Sequence, residues 1–191
     1  SSYNQARIDR LKDYASYVWS NHGNDFYMIL EHLADNSEEK VLADFGLMLW
    51  GNMNHNYNQN TMGHSSDSNI SWGYYKNRSF TSPNLVTYME SHDEERLMYK
   101  NLQYGNSNGS YNIKNLNIAL SRQELAGIFF FTIPGPKMIW QFGELGYDIS
   151  IDQNGRTGKK PIKWNYYDVA ERKNIYDVWA TLIALKKKHE V

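Results

Sequence analysis

The sequence predicts an α/β fold, half of a (β/α)8 (TIM) barrel built as four βα units preceded by a helix. Three observations carry this. Short β-rich apolar runs alternate with segments whose apolar residues recur at helical spacing, the order that makes parallel βαβ units. Two of those runs, at 26–30 and 85–89, end abruptly in charged residues, as buried parallel strands do where they open into a loop. A closed (β/α)8 barrel takes roughly 250 residues before insertions, and this chain has 191.

The elements follow in order. A helix near residues 4–20 opens the chain, with Ile8, Leu11, Ala15, Val18 and Trp19 at helical spacing and no strand before it. A strand near 26–31 ends in Glu31 and His32. Asn36 or Ser37 then caps a helix near 37–46 that continues through Val41, Leu42 and Phe45, with Glu38 and Glu39 as favourable charge in its first turn. A strand near 47–51 leads into an Asn/Ser/Gly-rich loop at 51–71, a helix near 66–78 and a strand near 85–90. Ser91, His92 and Asp93 stand at the mouth of that strand; Ser and Asp are also good caps for a following helix. Glu94 and Glu95 read as first-turn charge. After a second loop at 104–112 comes a helix near 115–131. Its apolar end, Ile128-Phe129-Phe130-Phe131-Thr132-Ile133, is far too short to span a bilayer and reads as the end of a buried barrel helix. The last strand lies near 137–142 and the closing helix near 171–189. Tyr14, Tyr17 and Tyr176 sit at helical spacings that predict burial.

Composition narrows the function. Hydrophobic residues make up 41% and the formal net charge is −1, so a soluble globular domain is expected, without an electrostatic footprint for nucleic acid or an anionic membrane. The absence of cysteine excludes disulfides and thiolate metal sites and leaves the redox compartment open. Six histidines and the pairs Glu38-Glu39 and Glu94-Glu95 form no His-Glu-x-x-His or EF-hand pattern, so no metal is expected. No cofactor is expected either, since the loop Gln141-Phe142-Gly143-Glu144-Leu145-Gly146 lacks the Lys-Ser/Thr that completes a phosphate cradle. No targeting segment is visible, and a truncated chain would have lost one.

Polar residues at the C-terminal ends of barrel strands are where (β/α) barrels place their chemistry. Glu31 and Asp93, about sixty residues apart, can meet on such a rim. Paired carboxylates there suit glycosidic bond cleavage: one protonates the leaving oxygen while others stabilise the cation-like transition state. Glu31 can equally be a strand-end carboxylate salt-bridged to a neighbour. Trp50, Asn52, His55, Tyr57, Trp72, Tyr74 and Tyr75 combine flat apolar faces with polar tips suited to sugars, and the same residues serve as ordinary packing.

The segments Ile29-Leu30-Glu31-His32 and Glu90-Ser91-His92-Asp93-Glu94 resemble two signature regions of the alpha-amylase family of glycoside hydrolases. Ile133-Pro134-Gly135-Pro136-Lys137-Met138-Ile139-Trp140-Gln141-Phe142-Gly143-Glu144-Leu145-Gly146 resembles that family's eighth strand and its Gly-Glu-x-Gly loop. The resemblance implies a single partial catalytic barrel over residues 1–191, the fifth to eighth βα units with no second domain. It makes Glu31 the general acid/base, partly buried and held protonated near neutral pH. Asp93 becomes the transition-state stabiliser on the sugar 2- and 3-hydroxyls, and His92 helps to hold that ring. His32, Trp50 and Asn52 would border the substrate. The implied substrate is an α-1,4-linked glucan such as starch or a maltooligosaccharide, cleaved with retention. Branching enzymes and related transglycosylases share the motifs, so transfer stands beside hydrolysis.

One departure matters. The family's nucleophile lies in a Gly-x-Arg-x-Asp motif at the end of the fourth strand, and this sequence has none; Arg7-Ile8-Asp9 falls in the opening helix. The third strand's aspartate-asparagine-histidine segment is also missing. The chain therefore reads as the second half of a barrel, inactive alone, expected to self-associate or to pair with its missing half. The start at Ser1-Ser2 and the stop at Lys188-His189-Glu190-Val191 read as cuts from a longer parent, extracellular or periplasmic if that parent is secreted. The competing class is a non-catalytic half barrel that binds carbohydrate or a partner polypeptide.

Overall fold

Asn4 sets the first element. Its side-chain oxygen accepts from the Arg7 amide at 3.0 Å, and α1 (Gln5–His22) runs on from that cap. The computed structural model describes residues 2–189, so the expectation resting on Ser1, Glu190 and Val191 lies outside the described residues. After β1 (Ile29–Leu30), the Asp35 carboxylate accepts from the Ser37 amide and opens α2 (Asn36–Phe45). The cap is thus Asp35, one or two residues ahead of the expected Asn36 or Ser37. Gly46, at φ 117° in the left-handed region, ends α2 and lets the chain turn directly into β2 (Met48–Asn52).

The central element is a four-stranded parallel sheet in the order β1-β2-β3-β6, where β3 is Leu85–Tyr88 and β6 is Lys137–Met138. Ile29 pairs with Met48 and Leu30 with Leu49. The other helices are α3 (Asn54–Met62), α4 (Leu97–Tyr104) and α5 (Leu116–Thr132), which lie between strands in the chain, and α6 (Ala170–His189), which follows the last strand. A two-stranded hairpin, β4 (Ser107–Asn108) with β5 (Tyr111–Asn112), lies within 104–112, expected as loop. The α/β class with parallel strands is thus present.

Two compact units divide the chain. The first holds the chain up to Asn52 with Ser71–Thr87 and Pro134–Pro136. Its core includes Ile8, Ala15, Leu42, Leu47, Leu49, Phe80 and Leu85. The second holds Met53–Ile70, Tyr88–Ile133 and the chain from Lys137 on. Its core includes Met89, Leu97, Met98, Leu120, Phe130, Phe131, Ile175 and Trp179.

Several expectations change. The stretch 66–78 forms no α-helix: it carries only short 3-10 turns, Ser71–Gly73 and Tyr75–Arg78, and the Asn77 side-chain amide, through Nδ2, donates to the Ser71 carbonyl at 2.8 Å. Side-chain amides that bond nearby carbonyls offer the backbone an alternative to a helix. Conversely, the Asn-rich loop folds into α3, because Asn54 donates to the Met89 and Glu95 carbonyls and Tyr57 and Met62 are buried. The last strand is two residues long rather than six; Phe142, at φ 57°, leads instead into a short 3-10 turn, Gly143–Leu145. Tyr14, Tyr17 and Tyr176 are 56%, 70% and 41% exposed, not buried. On α1 the two tyrosines lie off the face that carries Ile8, Leu11 and Ala15 into the core. Phe130 and Phe131 are buried as expected, while Ile128 and Phe129 are exposed.

Candidate functional site

In the first unit, Glu31 follows β1 directly and is exposed. The partial burial expected for a protonated acid is not found, because the chain leaves the strand at Leu30 and nothing of that unit covers the next side chain. His32 points elsewhere. Its Nε2 lies 2.6 Å from Glu38 Oε1, in a cluster where Arg7 Nε and Nη2 and the Asn4 amide also donate to Glu38. Those bonds, the one from Arg7 above all, hold the Glu38 carboxyl down to about 2 against the cost of burial. His32 thus ties the chain after β1 to the first turn of α2. Glu39 pairs with Arg78, and Arg78 also donates to Asn36 at 2.8 Å. Trp50 is half-buried and Asn52 exposed, both on β2.

In the second unit, His92 and Asp93 lie four and five residues beyond β3. His92 Nε2 is 3.6 Å from Asp93 Oδ2, and both side chains are about half exposed. The His92 ring lies 6.0 Å from the Trp140 ring. Arg156, from the 150–160 loop, donates to the Asp93 carbonyl and stands 3.9 Å from its carboxylate. The two residues therefore present an imidazole and a carboxylate side by side, with an indole and a guanidinium at the margin. Such a set can hydrogen-bond vicinal hydroxyls and pack an apolar ring face.

Neither Ser91 nor Asp93 caps the helix that follows, the alternative weighed for these residues. α4 begins at Leu97, and its first amide donates to the Glu90 carboxylate at 2.7 Å. Glu90 is buried, 4% exposed, and burial pushes its carboxyl up to about 7. Glu95 serves the same loop: its carboxylate accepts from the Ser150 hydroxyl and the Ile151 amide. Neither Glu94 nor Glu95 lies within a helix; both precede Arg96, the residue before α4.

A cavity of about 600 Å³ also opens in the second unit, lined by Trp140, Glu144, Trp164, Tyr176 and Trp179 among others. Burial raises the Glu144 carboxyl there. Sequence reasoning missed it because its walls come from the segment after β6, from two 3-10 turns, Gly143–Leu145 and Trp164–Asp168, and from α6, which share no motif. Of the aromatic candidates, Tyr57 belongs to the core and Trp72 stacks under Arg78. No helix among the described residues is long and apolar enough to cross a membrane. No family model matches the sequence, and a search of curated proteins returns no match.

Proposed function

We propose that this chain is the second half of the catalytic barrel of a retaining, α-glucan-active glycoside hydrolase of the alpha-amylase type. One observation carries the reading. Glu31 and the His92-Asp93 pair each follow a strand of one parallel sheet, β1 and β3, with β2 between them. Parallel strands send their C-terminal ends to one edge, where barrel enzymes hold their chemistry. Glu31 serves as general acid/base at the glycosidic oxygen. Asp93 and His92 bind the sugar hydroxyls, and Asp93 stabilises the developing positive charge. Trp50 and Asn52, on the intervening strand, supply a ring face and an amide.

Double displacement needs a carboxylate nucleophile, and the sequence has no Gly-x-Arg-x-Asp segment to supply one. The isolated chain is therefore expected to release no reducing sugar from starch above its Glu31→Gln background. Joined to an upstream half that carries such an aspartate, it turns over, and Glu31→Gln abolishes the turnover. Robust hydrolysis by the isolated chain, lost in Glu31→Gln, would contradict the assignment of the nucleophile to another segment.

A further inference from the structure

We infer that Glu90, two residues ahead of His92, positions the His92-Asp93 loop, and that its proton decides how firmly the loop is held. What the loop serves rests on the glucan reading above; the hold itself does not.

The residue before α4, Arg96, has no side-chain cap for the helix, and the first amide of α4 is satisfied by Glu90 Oε1 instead. Residues 90–97 thus form a loop closed at its base by the bond from the Leu97 amide to the Glu90 carboxyl, with His92 and Asp93 between. Other bonds shape the loop from within. The Ser91 hydroxyl donates to the Glu94 carboxylate, the Asp93 amide to Ser91 Oγ at 3.1 Å, and Arg96 Nη1 to the Ser91 and Glu94 carbonyls. From the other side Glu90 Oε2 reaches the turn after β6. A Cβ at Gly143 would stand 2.8 Å from that oxygen, so glycine there makes room for the carboxyl. One side chain therefore touches both the base of the loop and the neighbouring turn.

The charges facing Glu90 are Arg96 and Glu95 from its own loop and Glu144 from the turn after β6. Phe130 of α5 and Trp179 of α6, which border the same small cavity, bring none. Burial, first, and then the repulsion from Glu144 and Glu95 outweigh the Leu97 amide and Arg96, so the carboxyl titrates near 7 instead of 4.5. The closed loop accordingly binds this proton more tightly than an open one does. The hold is full below the ordinary carboxyl range and is lost as pH rises through about 7. Between those limits the open-to-closed ratio rises by up to about tenfold per pH unit, the limit for one proton.

Hydrogen exchange of the Leu97 amide, read by NMR and corrected for its intrinsic pH dependence, tests this. Protection in the wild type is expected to fall by up to about tenfold per pH unit from about pH 4.5, levelling above about 7. Glu90→Gln keeps an oxygen for the Leu97 amide and carries no charge, so its protection stays high and flat. Gly143→Ala, which drives a methyl into the carboxyl, lowers protection at every pH while circular dichroism stays native. A flat wild-type profile, or a Glu90→Gln variant that keeps the slope, would overturn the inference. No glucan enters the measurement, so it stands or fails apart from the glucosidic reading.

Discussion

Glu38 sits at the start of α2 with no exposed side-chain surface and takes three donors: Arg7, the Asn4 amide and the His32 ring. Its carboxyl is held at about 2, below the ordinary 4.5, so the group stabilises the fold in its ionised form. A depressed acid contributes fully above its unfolded value and loses that contribution as pH falls through the folded one. Acid unfolding of the wild type is therefore expected to include a component between about pH 4.5 and 2 that Glu38→Gln lacks. At neutral pH that variant is expected to lose about 1–2 kcal/mol in urea unfolding, discounted because Arg7 is a third exposed. Equal midpoints for both proteins would contradict this. At the same scale, the sequence showed His92 and Asp93 because an apolar run stops at them. It hid the use of His32, because nothing local says that a strand-end histidine will meet a glutamate six residues on.

Helices and strands with strong periodicity were legible: α1, α2, α5 and α6 stand within a few residues of where apolar spacing puts them. α3 was not, since five asparagines or glutamines in nine residues predict loop, and only tertiary bonds from Asn54 and the burial of Tyr57 make it helical. α4 was hidden because its first amide is satisfied from seven residues back. The α5–α6 packing turns on Gly127, where an added Cβ would lie 2.2 Å from Trp179 Nε1. The indole is 2% exposed and is hemmed by Phe131 at 5.4 Å between ring centres. Gly127→Ala gains about 1 kcal/mol in helix propensity and costs about 2–3 kcal/mol in overpacking. A net loss of roughly 1–2 kcal/mol in urea unfolding is expected, and an unchanged or raised stability would show that the indole yields freely.

For the molecule as a whole, the strand order of the sheet was legible because each strand–helix–strand unit in the sequence folds as a parallel step. The grouping of the chain into two compact units was not, since each unit gathers residues from distant segments. β1 stands at the end of the strand order; its Ile29 is 48% exposed, and Phe26 and Tyr27 just before it are 54% and 73% exposed. An uncharged, exposed edge strand is a template for another chain, and each such side chain covered gains on the order of 1–3 kcal/mol. Light scattering on a size-exclusion column is expected to give a dimer at micromolar concentration; a monodisperse monomer would contradict this.

The claim that the strand-end residues serve an α-glucan is tested most directly by calorimetric titration of the folded chain with maltoheptaose. Saturable binding is expected, weakened at least about tenfold by Asp93→Asn, a loss of roughly 1.4 kcal/mol for a hydrogen bond to a charged group. Tyr14→Ser, on the exposed face of α1, should leave it unchanged. No saturable binding by a chain that remains folded, or equal binding by Asp93→Asn, would contradict the account.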